Sequence, residues 1–135
     1  MSKSAIYTTN QSVQAVAING VITPGTVIRR FGCNIALSGN GLRVEGEGYY
    51  KFDTSITLAP TAAGNVTVTA YKDGVAIPGA IASETAAAAD DNINLGLDFI
   101  IREGCPCCDC GSNITFILTG TAANVTNIAI TGEKL

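Results

Sequence analysis

Gly46-Glu47-Gly48-Tyr49-Tyr50-Lys51-Phe52-Asp53-Thr54-Ser55-Ile56-Thr57-Leu58 is the stretch that decides how this chain is read. Taken alternately, Tyr50, Phe52, Thr54, Ile56 and Leu58 fall on one side, and Tyr49, Lys51, Asp53, Ser55 and Thr57 on the other. A β-strand points successive side chains to opposite faces, so alternation over this length predicts a half-buried strand. Gly46 and Gly48 let the backbone bend ahead of it, where a side chain would hinder it. Turn-forming residues bound the stretch at both ends, so the strand sits within a run of strands. It is the expected central strand of the core.

Outward from it the pattern repeats. Towards the N-terminus, Ile35-Ala36-Leu37 and Leu42-Arg43-Val44 flank Ser38-Gly39-Asn40-Gly41 and read as a hairpin. Val27 to Phe31 reads as a short strand after a Pro24-Gly25 turn, and Asn19-Gly20 inside Val13 to Ile22 signals a tight hairpin. Towards the C-terminus, Val66, Val68 and Ala70 face one way. Lys72-Asp73-Gly74 turns the chain, and Pro78-Gly79 is expected to close the short strand that follows. Ala86 to Ala89 favours helix by composition but is too short and lacks an apolar stripe, so a loop or an Ala-rich strand is expected. Ile93, Leu95, Leu97 and Phe99 oppose Asn94, Gly96 and Asp98; Ile114, Phe116 and Leu118 form a further inward face, and Val125 to Thr131 supplies a closing strand. Eight to ten short strands with no helix predict one all-β domain over residues 1–135, a sandwich or barrel.

With 135 residues the chain is one domain's length. Hydrophobic residues make up 47% and charged residues 14%, against ~25% charged in an ordinary soluble domain. Such a sheet protein has difficulty covering its apolar surface alone, so an oligomer is expected; an outer face dressed with Thr, Ser and Asn is the alternative. A net charge of −3 gives no electrostatic grip on nucleic acid. No apolar run is long enough to span a bilayer, and Met1-Ser2-Lys3-Ser4 leads into a polar stretch, so no membrane and no export by the usual route are expected. Four sequons, at Asn10, Asn65, Asn113 and Asn124, then read as ordinary strand chemistry.

Candidate chemistry is sparse. The chain has no His and no Trp, which removes the commonest general base and any Ser-His-Asp or Cys-His arrangement. No glycine-rich loop joins a strand to a helix, so neither phosphate binding nor any cofactor is expected. Glu45 and Glu47, two apart on one strand face, read as a solvated edge rather than an acid–base pair, and Asp90-Asp91-Asn92 as a polar turn rather than a calcium loop. Arg29-Arg30 pairs with acids of a neighbouring subunit or caps a solvated strand end. Four of five cysteines crowd one loop, Cys105, Cys107, Cys108 and Cys110, in two overlapping C-x-x-C spacings. Three readings stay open there. One is a surface loop of free or randomly oxidised thiols. Another is disulfides within the loop, to Cys33 or between subunits; the third is a metal site shared around an oligomer axis.

The run Gly46-Glu47-Gly48-Tyr49-Tyr50-Lys51-Phe52 resembles the Gly-x-Tyr-x-Phe core strand of the C1q and tumour-necrosis-factor superfamily. The Val/Thr strand after it, the Lys72-Asp73-Gly74-Val75-x-Ile77-Pro78-Gly79 turn and the final Ile/Thr-rich strand follow in the same order. From about Ile35 to Leu135 the chain is similar to short bacterial and phage members, including the C-terminal domain of collagen-like spore-surface glycoproteins. Taken whole, it is also similar to small proteins encoded among virion structural genes of phages and prophages. It has no collagen-like stalk, which argues against a spore-coat role, and no calcium ligand set of the kind some members carry.

The resemblance implies a single jelly-roll sandwich forming a homotrimer, with aromatic and apolar residues near the three-fold axis. Tyr49, Tyr50, Phe52, Phe99 and Phe116 are the expected core and trimer-interface residues. The implied function is a non-catalytic virion structural protein, a capsid decoration or a head or tail fibre module. Its partners would be itself and other capsid or tail proteins, assembled in the host cytoplasm. The alternative is a receptor- or glycan-binding module of a phage tail or bacterial surface. Scarce aromatics (6%) count against sugar stacking.

Overall fold

The structure, a computed structural model, describes residues 3–104 and 111–135. Cys105, Cys107, Cys108 and Cys110, with every reading of their loop, lie outside the described residues. Twelve strands are described: β1 (Ala5–Asn10), β2 (Gln14–Val16), β3 (Val21–Ile22), β4 (Thr26–Phe31), β5 (Ile35–Ser38), β6 (Gly41–Val44), β7 (Gly48–Pro60), β8 (Gly64–Lys72), β9 (Val75–Ala86), β10 (Ile93–Glu103), β11 (Ser112–Thr119) and β12 (Ala123–Lys134). They form two antiparallel sheets. The first runs β10-β7-β12-β1-β4 with β2 also on β12; the second runs β5-β6-β11-β8-β9 with β3 also on β11. Only β5–β6 and β8–β9 are hairpins between neighbours in sequence. Apart from β1 to β2, which both pair with β12, the chain elsewhere crosses from sheet to sheet, which is the winding of a jelly-roll sandwich.

The core lies between the sheets and is built from the alternating faces. Tyr50, Phe52, Ile56 and Leu58 of β7 are fully buried, as are Val66, Val68 and Ala70 of β8 and Ile114 and Leu118 of β11. On β10 every second residue from Ile93 to Ile101 is buried. Phe52 stacks on Phe99 across the β7–β10 ladder with ring centroids 5.4 Å apart, and Phe99 reaches Phe116 of the opposite sheet at 6.2 Å. Offset and tilted aromatic pairs at these separations add to the area they bury. The three rings thus tie the two layers together at the sandwich centre.

The bend before β7 also has a specific cause. Gly46 sits at φ +97°, and a Cβ there would lie 2.6 Å from Asn34 Nδ2. That amide donates to the Glu45 carbonyl at 2.8 Å, and the Tyr50 hydroxyl donates to the Glu45 and Gly46 carbonyls at 2.7 Å each. Buried polar groups are tolerable only when paired, and this network pairs them. Burial holds the Tyr50 phenol above its ordinary pKa, partly offset by its hydrogen bond with Asn34.

Three expectations are corrected. Asn19-Gly20 does not join a hairpin: β2 pairs with β12 and β3 with β11, so this turn carries the chain between sheets. Its flanking runs are too short to sustain a ladder together, and each adds to the end of a long strand. Pro78-Gly79 does not close a strand either, since β9 runs through it to Ala86. β9 is an edge strand, where a missing N–H costs no ladder bond, and the β8–β9 register shifts between Thr69 and Tyr71 to absorb the irregularity. Finally, Glu45 and Glu47 lie in the connection between β6 and β7 rather than on a strand, and Glu45 accepts a 2.8 Å ion pair from Arg43 Nε. The turn reading of Asp90-Asp91 stands: Asp91 Oδ2 accepts from the Ala88 amide at 3.1 Å.

Candidate interaction face

Antiparallel register lays the outer face of the first sheet out in rows. One row reads Asp98, Asp53, Thr131, Tyr7, Arg29 across β10, β7, β12, β1 and β4. The next reads Ile100, Lys51, Glu133, Ala5, Phe31. A third begins with Arg102 opposite Tyr49. Four strand spacings separate the ends of a row, roughly 19 Å.

The chemistry differs between the two ends. At the β10–β7 end, Asp53 and Asp98 oppose each other directly. Like charges in that position repel, and the Asp98 carboxyl is held above its ordinary pKa, first by a hydrogen bond with Asp53, then by desolvation and the Asp53 charge, with Lys51 opposing. Beside the acids stand two exposed apolar side chains, Ile100 (56% exposed) and Tyr49 (53%). At the β4 end, Arg29 has no hydrogen bond or ion pair among the described residues, whereas Arg30 Nε donates to the Ile35 carbonyl at 2.7 Å. Phe31 is 62% exposed there, and every residue of β4 is exposed. A shallow hollow of about 130 Å³ is walled by Ala5, Tyr7, Arg29, Phe31 and Thr131.

The second sheet is dressed differently. Its outer face carries Thr67, Thr69, Thr115 and Thr119 with Ser83 and Thr85, and Thr67 bonds Ser83 across the β8–β9 ladder at 2.9 Å. The polar dressing expected as an alternative to an apolar interface is therefore present on the second sheet, although Ile81 and Val75 of β9 stand exposed there, and the first sheet has a polar pair of its own in Thr57 and Asn94. The exposed aromatic and apolar groups of the first sheet are what an interface would use.

The expected site residues separate into two groups. Tyr50, Phe52, Phe99 and Phe116 lie inside the sandwich, at most 7% exposed, where the protomer's own sheets cover them. Tyr49 lies on the outer face. Ile100, Phe31 and the Asp53–Asp98 pair were missed as interface candidates. Alternation in the sequence puts Asp53 and Asp98 on polar faces, but their pairing exists only through the β7–β10 register.

Among the described residues no group of three or more Cys, Asp or Glu is placed to hold a metal ion. A second hollow, about 250 Å³, lies where β9 and β10 meet, walled chiefly by Val75, Ile77, Pro78, Ile100 and Lys72. Lys72 is occupied there, its ammonium donating to the Arg102 carbonyl at 2.8 Å.

Two sheets in this order define the C1q/TNF-like jelly-roll fold. No protein-family model matches the chain, and no curated protein matches it. Solved structures do. Murine APRIL is similar with a TM-score of 0.71 at 12% identity, over 99% of this chain and 100% of that one. The phage PRD1 vertex protein P5 matches with 0.63 at 14% identity, over 98% and 96%. The globular domain of zebrafish complement 1qA matches with 0.62 at 8% identity, over 99% and 97%. At these identities the likeness is one of fold.

Proposed function

We propose that this chain is a non-catalytic structural module of a phage virion, assembled as a homotrimer and serving as a capsid decoration or as a fibre module of head or tail. The observation that carries this reading is the outer face of the first sheet. Exposed Tyr49, Ile100, Phe31 and Tyr7, with the Asp53–Asp98 pair at one end and Arg29 at the other, suit a surface made to meet another copy. The full-length likeness to a virion vertex protein supports the setting. A chain with no histidine, and with Tyr50 and Asp98 the groups shifted among the described residues, has little with which to run acid–base chemistry.

Light scattering of the purified chain tests the assembly, and co-sedimentation with particles lacking this gene product tests the setting. The expected mass is three times the 13.8 kDa of one chain, with binding that saturates at a fixed copy number per particle. A mass of one chain at all concentrations, or no association with particles, would overturn the proposal.

A further inference from the structure

We propose that copies of this chain join head to tail across the outer face of the first sheet: Ile100 of one copy seats in the hollow beside Phe31 of the next, and Asp98, backed by Asp53, meets its Arg29. This rests on the trimeric reading and names the contact that reading leaves open.

Three observations fit the two patches to each other. Ile100 stands free at 56% exposure, and the hollow between Tyr7 and Phe31 is an apolar-walled receptacle for one branched side chain. Asp98 and Ile100 lie two residues apart on the outer face of β10, as Arg29 and Phe31 do on β4. Both steps therefore span roughly 6.8 Å, one strand repeat. When the apolar groups dock, the charges come into register. The two carboxylates oppose each other across a ladder, and the Arg29 guanidinium has no acidic partner among the described residues. Arg29 presents a planar fork suited to carboxylates, and the second acid gives it a second acceptor.

Under the trimeric reading the contact is heterologous, and a three-fold rotation closes the ring. An occupant of another kind would have to match the same spacing of an apolar and an acidic group. A second copy of this chain carries that match by construction.

The test is a charge swap read by light scattering over a dilution series. Arg29→Glu and Asp98→Arg should each place like charges in every contact and raise the concentration for half-assembly at least about tenfold, since like-charge juxtaposition across an interface is strongly unfavourable. The double variant, Arg29→Glu with Asp98→Arg, restores opposite charges in every contact. It should return to within about threefold of the parent. Both residues changed, Arg29 and Asp98, are on the surface, so an unaltered circular-dichroism spectrum is expected throughout and separates dissociation from unfolding.

Single variants that assemble as tightly as a trimeric parent, or a double variant no better than either single, would overturn the contact while leaving the trimer standing. A parent that stays a single chain overturns both. A parent of two chains with rescue by the swap would keep the pairing of patches and overturn three-fold closure.

Discussion

Phe52 shows how much a single side chain carries in this fold. Its ring is fully buried and stacked on Phe99 at 5.4 Å. Phe52→Ala should cost about 3–5 kcal/mol, because deleting a buried ring loses its transfer energy and leaves a cavity. Denaturant unfolding at unchanged slope would read this as a lowered midpoint; a loss below about 1 kcal/mol would remove the ring from the core. Asp98 works in the opposite sense. Its folded pKa is raised, chiefly by the hydrogen bond with Asp53, so its contribution to protomer stability is present in acid below the ordinary carboxylate pKa and is lost as pH rises through the raised value. The facing groups on the neighbouring strands are Asp53 and Lys51 on β7 and Glu133 on β12. Asp98→Asn should therefore raise the melting temperature of the dilute, single-copy protein at neutral pH and leave it nearly unchanged in acid. Equal shifts at both pH values would mean the two carboxyls do not share a proton.

Among the elements, β12 is the most constrained. It lies between β7 and β1, and the β7–β12 register shifts between Val125 and Asn127 so that Ile128 and Ile130 return to the inner face. Gly132 completes that face opposite Phe52. A Cβ there would lie 2.6 and 2.9 Å from two Phe52 ring atoms, so the glycine is the space the ring occupies. Gly132→Ala should cost about 1–3 kcal/mol by overpacking, and Phe52→Leu in the same chain should recover part of it in a double-mutant cycle. Additive losses would show that the two positions do not compete for space. β4 is the opposite case, exposed along its whole length and paired only with β1 on one side. Val27 to Phe31 reads as a short strand in the sequence, and β4 is one. Nothing local says that the protomer leaves it uncovered, because burial depends on whether the other sheet extends that far.

At the scale of the whole molecule, the proposed contact between copies uses Ile100, Asp98, Arg29 and Phe31 and involves no thiol. The assembly is accordingly expected to keep its mass in reductant and in chelator, measured by light scattering under each. Dissociation by reductant alone would transfer the clasp to cysteine chemistry. The sequence by itself determined the strand class of nearly every segment and the identity of the core rings. Period-two alternation is a local signal, and Tyr50, Phe52, Phe99 and Phe116 each stand on an alternating apolar face. It also carried the order of elements behind the resemblance to a jelly roll. Beyond the β5–β6 hairpin, which its Ser38–Gly41 turn announced, which strands pair was decided only by the tertiary structure. Asn19-Gly20 has the chemistry of a hairpin, yet it crosses between sheets because longer ladders compete for its short flanks. The facing of Asp53 by Asp98, and the placing of Arg29 at the far end of the same row, likewise depend on register between strands distant in sequence. Alternation says which side of a strand a residue is on; only the partner strand says what stands beside it.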